Sequence, residues 1–433
     1  MSKPATTATA APAVGPTGSS GPVDARTAPV VSAGRRLSHS TAFVAITAIF
    51  ITFMAASSAP SPLYVVYQQQ WGFSATTLTV VFAVYVLGLI GSLLVLGALS
   101  DYVGRRPVLA AAIALELVAL VLFISAGNVT VLLLARLAQG IATGAAMTTL
   151  GAALVDLNPP HAPGRAGVVN GVAPLGGLAV GALGCGALVQ FGPQPTHLVY
   201  LLLLVGMVVA AVFVAVMPET AVRRPGGLAS LKPKVGIPAR LRPDVLALTP
   251  MLVASWALGG LYLSLGPSVA ASLFGLTNHL VGGLVVTLLC ATGAVTAFTL
   301  KGWPTERVLR MAAVLLTVGT ATTLIGVELE SIAVAAAGTV IAGIGFGGSA
   351  LACFGTLARI AAPEERGEVF AVAFVISYLA FSLPAVVAGL AASSFGLHTT
   401  AVVYGLVVVG LSLLTLIIQL VRGRRSAAIP AQH

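Results

Sequence analysis

Long apolar runs broken by short polar joints fill the chain from Thr41 to Val421. A helix needs roughly 20 apolar residues to cross a bilayer, and twelve stretches reach that length, near 41–63, 75–98, 107–127, 129–156, 166–190, 197–217, 245–271, 279–300, 309–327, 331–358, 368–391 and 398–421. The joint at 219–244 is longer and holds several prolines with Glu219, Arg223, Arg224, Lys232, Lys234, Arg240, Arg242 and Asp244. The pattern predicts an all-α membrane protein of twelve transmembrane helices in two six-helix bundles, 41–218 and 245–421, joined by that linker. Residues 1–40 are mostly Ala, Pro, Thr, Ser and Gly. Such a composition cannot bury a core, so a disordered tail is expected there, with a second short tail at 422–433. No short apolar stretch with a cleavage site precedes the first run, which is therefore read as a retained span.

Composition agrees with this class. The chain is 58% hydrophobic and 8% charged, with mean hydropathy +1.02, whereas soluble domains carry about 25% charged residues. A net charge of +10 would suggest nucleic acid in a soluble protein. Here its placement explains it. With the N-terminus inside, every one of the 22 Lys and Arg except Arg136 falls in the tails, the central linker or the loops on that same side. Such a bias sets orientation, so both termini are expected in the cytoplasm of a plasma (inner) membrane protein. One span more or fewer would scramble it.

The halves also echo each other. Gln139-Gly140-Ile141-Ala142-Thr143-Gly144 in the fourth run resembles Ala342-Gly343-Ile344-Gly345-Phe346-Gly347 in the tenth, and each is followed by a loop of Pro-x-x-Arg type. Two related six-helix halves would place a binding site where they meet, near the midplane.

The joint between the second and third runs reads Gly97-Ala98-Leu99-Ser100-Asp101-Tyr102-Val103-Gly104-Arg105-Arg106-Pro107. So short a turn makes its flanking helices antiparallel neighbours. It resembles the loop signature of the major facilitator superfamily, G-x-L-a-D-r-x-G-r-r, with Gly97, Leu99, Asp101, Gly104, Arg105 and Arg106 in register. The resemblance implies a small-molecule carrier working by alternating access. It also implies a gate in which Asp101 and the arginines hold the halves together near the start of the eleventh helix, around Arg366. Asp156, at the inner end of the fourth run, is read as part of the same latch.

Two charges interrupt the runs. Arg136 lies roughly 10 Å inside the fourth at 1.5 Å per residue, and a cation at that depth must face the bundle interior and find a partner. Its setting, Leu132-x-x-x-Arg136-x-x-Gln139-Gly140, resembles the fourth-helix motif of proton-coupled facilitators, which implies a part in proton coupling for Arg136 and Gln139. Glu116 sits midway along the third run at similar depth. It is the candidate partner of Arg136 and a protonatable site; the other reading is a carboxyl that only fixes helix packing.

In the fifth run, Gly171, Pro174 and Gly177 stand among further glycines about four apart, a spacing that permits close helix contact together with Gly140 in the fourth. The run resembles the fifth-helix signature of drug–proton antiporters. Ala173 precedes its proline where the signature has glycine, and the glycine pair comes one position early, which leaves uniport and symport open. In this superfamily spans 1, 4, 7 and 10 line the cavity. Tyr64, Met147, Trp256, Tyr262 and Phe346 are the resulting candidates for substrate contact, with Tyr378 from the eleventh run. Aromatic, weakly polar positions suit lipophilic or mildly polar ligands, so efflux of such compounds by a monomer is expected.

Other classes find little support. The six histidines lie in tails, loops or run ends, and the three cysteines lie singly inside apolar runs. Without converging His, Cys, Asp or Glu there is no candidate enzyme centre, metal site or cofactor. A channel or a non-transporting sensor on this scaffold stays open.

Overall fold

A computed structural model describes residues 37–162, 164–233, 235–276, 278–362 and 364–427. Among them it contains 12 helices long and apolar enough to cross a membrane: His39–Trp71, Ala75–Leu96, Arg105–Ile124, Val129–Asp156, Arg165–Phe191, Leu198–Val216, Ala239–Ser264, His279–Thr299, Thr305–Glu328, Ile332–Ile360, Arg366–Phe395 and Leu397–Arg422. They are numbered here as spans 1 to 12. No strand occurs among the described residues. Residues 1–36 and 428–433 of the predicted tails lie outside those residues; of the remainder, His39 and Ser40 already belong to the first helix, and the last helix continues through 422–427.

Local chemistry starts several of these helices. Ser38, Ser74, Asn128, Asn278 and Ser331 each stand just before a span and accept a backbone N–H of its first turn. Such caps satisfy donors that the helix itself leaves unpaired.

The first and seventh runs end differently from expectation. Span 1 does not stop near residue 63. It breaks at Ala59 and resumes as a second helix, Pro60–Trp71. Proline fits a first helical turn, and Leu63, Tyr64 and Tyr67 of the new segment are buried. Span 7 ends at Ser264 and is followed by a short helix, Gly266–Leu273. Each break frees a carbonyl. Pro60 has no N–H for the oxygen of Ala56, and Pro267 has none for that of Leu263.

The halves repeat at the level of contacts. A Cβ on Gly140 would collide with the carbonyl oxygen of Tyr85, and one on Gly144 with that of Leu89. In the second half a Cβ on Gly343 would strike the Leu289 carbonyl, and one on Gly347 that of Gly293. Spans 2 and 4 therefore pack in the register of spans 8 and 10, with small residues allowing backbone to touch backbone.

Between the halves the same symmetry governs pairing. Span 2 meets span 11, and span 5 meets span 8. The hydrogen bonds joining the halves among the described residues lie midway or at the end away from the basic loops. Thr76 donates to the Gly389 carbonyl at 3.2 Å and lies 3.0 Å from the Ser393 hydroxyl. The N–H of His279 reaches Gln190 at 3.0 Å, and Thr287 donates to the Ala179 carbonyl at 3.1 Å. Ser61 takes up the freed Leu263 carbonyl at 2.7 Å. The molecule is sealed at that far end.

Candidate functional site

Three groups of side chains answer to the predicted sites. At the basic end, Gly104 turns the chain with φ 104, a conformation that glycine adopts most readily, and span 3 begins at once with Arg105. Glu219, from the linker, caps this start: its carboxylate accepts the N–H of Arg105 at 2.7 Å and of Arg106 at 3.1 Å. An anion at a helix N-terminus is favoured by the dipole and by the unpaired amides. Gly104 also makes room, since a Cβ there would lie 2.7 Å from a Glu219 oxygen.

Arg105 is buried. It donates to Ser100 at 2.7 Å and to Asp156 at 3.1 Å, and it pairs with Asp101. Arg106 donates to the carbonyls of Val214 and Ala215 at the end of span 6. Gly97 closes span 2 with its N–H on the Leu93 carbonyl. The implied latch to the start of span 11 does not form in this structure: Asp101 is held by Arg105, while Arg366 donates to the Ala361 carbonyl at 3.4 Å. Among the described residues every partner of the 2–3 turn cluster lies in the first half or the linker, and none of them clasps the two halves together. Glu219 and Ser100 were not candidates from sequence; one was lost among linker charges, and the other looked like an ordinary turn residue.

Deep in the first half, Arg136 and Gln139 share a face of span 4, and Glu116 approaches from span 3. Arg136 is 1% exposed and Glu116 is 0% exposed. The direct ion pair considered for them is replaced by a relay. Arg136 Nη1 donates to Gln139 Oε1 at 2.5 Å, and Gln139 Nε2 donates to Glu116 Oε1 at 3.1 Å. The backbone of span 1 completes the relay. Gln139 Nε2 also reaches the carbonyl of Ala56 at 3.0 Å, the oxygen that Pro60 leaves free, and Arg136 reaches that of Ser57 at 3.1 Å. The guanidinium lies over the Tyr85 ring, 4.4 Å from its centroid, and 5.8 Å from that of Tyr64. Such cation–π contacts offset part of the cost of burying a cation. Glu116 Oε2 has no hydrogen-bond partner.

The third group spans both halves. Tyr378 of span 11 donates to the Met147 sulfur of span 4 at 3.2 Å and packs edge-on against Trp256 of span 7 at 4.9 Å. Trp256 touches Phe381, which meets Phe82 of span 2 at 5.0 Å. Towards the basic end the stack continues through Phe374, Phe354 and Phe370. Phe346 rests on Gly259 and Gly293 nearby. Met147, Trp256, Phe346 and Tyr378 thus come together, and Phe374 and Phe381, spaced along one face of span 11, join them.

Tyr64 and Tyr262 stand apart, each buried inside its own half. Tyr64 lies beside Arg136, and Tyr262 bonds Thr339 at 2.8 Å. In span 5, Gly177 packs against Met54 and Ile51 of span 1. Gly171 does not pack: a Cβ there would meet nothing within 4 Å, because this face of the helix is exposed. Pro174 lies within the same helix. No group of three or more His, Cys, Asp and Glu able to hold a metal ion occurs among the described residues.

A family model described as Major Facilitator Superfamily matches residues 44–383, which is most of the chain. The chain belongs to the major facilitator superfamily. Among curated proteins, the transporter paaT of Penicillium rubens is 33% identical over 115 residues, 27% of this chain and 21% of that protein. The multidrug resistance protein MdtL of Shewanella oneidensis is 33% identical over 154 residues, 35% of this chain and 38% of that one. The chain thus aligns with well under half the length of either relative. Solved structures of transporters match far more of it. A bacterial homologue of the human lysosomal transporter Spinster, in an inward-facing and unoccupied conformation, superposes with TM-score 0.69 at 14% identity, covering 88% of this chain and 97% of that one. The nucleoside transporter NupG gives 0.67 at 11%, covering 88% and 100%. The human organic anion transporter MFSD10 gives 0.65 at 17%, covering 89% and 100%. At these identities the likeness is one of fold. This superfamily member is therefore a multi-pass membrane protein.

Proposed function

We propose that the chain is a proton-coupled exporter of lipophilic or weakly polar small molecules, working as a monomer in the plasma membrane by alternating access, with both termini cytoplasmic. The observation that carries the reading is the buried relay Arg136–Gln139–Glu116. Ionisable side chains inside a membrane bundle are costly and mark ion or proton pathways. Glu116 ends the relay with one oxygen unpartnered, free to carry a proton, and its charge is tied through a single amide to Arg136. The relay also holds the carbonyls at the break of span 1, the segment whose Ser61 bonds across to span 7. Proton gain or loss at Glu116 is thereby linked to the contact that seals the far end.

The substrate class follows from the wall between the halves. Met147, Trp256, Tyr378 and Phe381 offer a soft, aromatic surface with a few polar atoms, which suits compounds with a large apolar face. With the basic end in the cytoplasm, the sealed far end makes this an inward-facing state. The 2–3 turn cluster then waits for the start of span 11, which it meets in the outward-facing state.

The test is reconstitution in liposomes with a trapped pH dye, challenged with lipophilic cations, neutral drugs and small metabolites. Substrate-dependent proton movement that disappears in Arg136→Ala is the expected result. Saturable flux of a metabolite without proton movement would reassign the protein as an uncoupled facilitator, a reading that the irregular fifth-span motif leaves open.

A further inference from the structure

The register shared by the two halves shows what the second half has in place of the charged relay. Gly140 and Gly343 occupy equivalent packing positions, as do Gly144 and Gly347. By the same register Arg136 corresponds to Thr339, Gln139 to Ala342 and Tyr85 to Leu289. Counted back from the ends of spans 3 and 9, Glu116 corresponds to Thr320. Large charged, amide and aromatic side chains are thus exchanged for small ones. Tyr262 takes part of the space they vacate, reaching Thr339, and part stays open beside Thr320 and Thr339. A cavity of about 340 Å³ lies there among spans 7, 8, 9, 10 and 12, within the roughly 300–1,000 Å³ usual for small-molecule sites.

We infer that this cavity is a second ligand site, distinct from the aromatic wall between the halves, for a neutral, largely aliphatic molecule carrying one hydrogen-bonding group. Its walls are mostly aliphatic, with Leu288 and Ala270 typical and Phe274 adding an aromatic ring, and among the described residues no charged side chain lines it. An ionic ligand would lose its hydration there with nothing to replace it. The polar contribution is small and localised. Thr320 is 3% exposed, lines the cavity, and has no partner for its hydroxyl. Most other threonines in these helices bond a carbonyl one turn back, as Thr339 does with Ala335 at 2.9 Å. That bond uses the only Thr339 hydrogen, so Tyr262 donates to Thr339 and its own oxygen can still accept, beside Thr323, whose hydrogen goes to the Gly319 carbonyl. Thr320 thus offers an unused donor, and Tyr262 an acceptor, to the hydroxyl of a ligand in the cavity. Leu284 and Ile332, exposed on the outer face of the bundle, stand at the rim and connect the cavity to the apolar surroundings of the helices. The inference needs no transport activity and is independent of the proton-coupled reading.

The probe is a decanol carrying an alkyl diazirine, with the full-length protein in nanodiscs. Labelled peptides are mapped by mass spectrometry and competed with decanol, decane and decanoate. Expected is saturable labelling within residues 258–288 and 320–339, displaced by decanol but not by decanoate. Ala336→Phe, which fills the cavity, should reduce it at least tenfold. Thr320→Val should reduce it severalfold and erase the preference for decanol over decane, and it serves alone should Ala336→Phe not fold. Diacylglycerol added to the disc separates the sources. Displacement by it assigns the site to bilayer lipid, and displacement only by decanol from water assigns it to soluble compounds; either supports the site. Labelling that does not saturate, spreads evenly over the outer face, or survives both variants overturns the inference.

Discussion

Replacing Gln139 by leucine would strand Arg136 and Glu116 together, because the amide accepts from one and donates to the other. Hydrogen bonds to charged groups are each worth about 1.5–3 kcal/mol, so Gln139→Leu should cost about 3 kcal/mol or more, seen as a large fall in the midpoint of thermal unfolding in detergent. Glu116→Gln differs in kind. It keeps an oxygen facing Gln139 and removes only the exchangeable proton and the charge. The fold should survive, and substrate counterflow should continue, while accumulation driven by an imposed pH gradient falls to the level of empty liposomes. Gradient-driven accumulation that persists in Glu116→Gln would remove Glu116 from coupling. That Arg136 and Glu116 lie inside the bundle could be read from the sequence, because a charge within an apolar run must turn away from lipid. That Gln139 stands between them could not be, since it depends on where span 1 breaks and which carbonyl Pro60 releases.

Among the elements, span 3 is the one most dependent on a distant residue. Its N-terminus is held by Glu219, far along the chain, and admits that carboxylate only because Gly104 has no side chain. Glu219→Ala removes two charge-assisted hydrogen bonds, and Gly104→Ala adds both a strained φ and a collision, the former alone costing about 1–3 kcal/mol. Both variants should lower thermal stability, and the double variant should lose less than the sum, because the two changes damage one contact. Strict additivity in a double-mutant cycle would show the contact to be absent. The sequence placed the 2–3 turn correctly by its glycines and charges. It gave no sign of Glu219, one of many charges in a linker with no periodicity to fix its direction. The small-residue stripe of span 5 was legible as a stripe, yet its contacts begin at Gly177, not at Gly171, because helix phase is set by the neighbours.

For the whole molecule, the twelve spans were visible because apolar length is a one-dimensional signal. Which end is closed was not, since that depends on which of two arrangements of the halves is populated. Here the seal is at the far end, where Thr76 and Ser393 stand 3.0 Å apart across spans 2 and 11. Alternating access requires this contact to part in every cycle. A Thr76→Cys, Ser393→Cys pair should therefore cross-link readily, aided by the burial of native Cys185, Cys290 and Cys353, which keeps background thiol reaction low. Oxidation should stop substrate flux in liposomes, and reductant should restore it, while either single variant transports with or without oxidant. Flux that continues at its full rate with the bridge formed would mean that the far end need not open by separating these helices. A carrier that rocks about its centre could not then be sustained, and a continuous pathway elsewhere through the bundle would take its place.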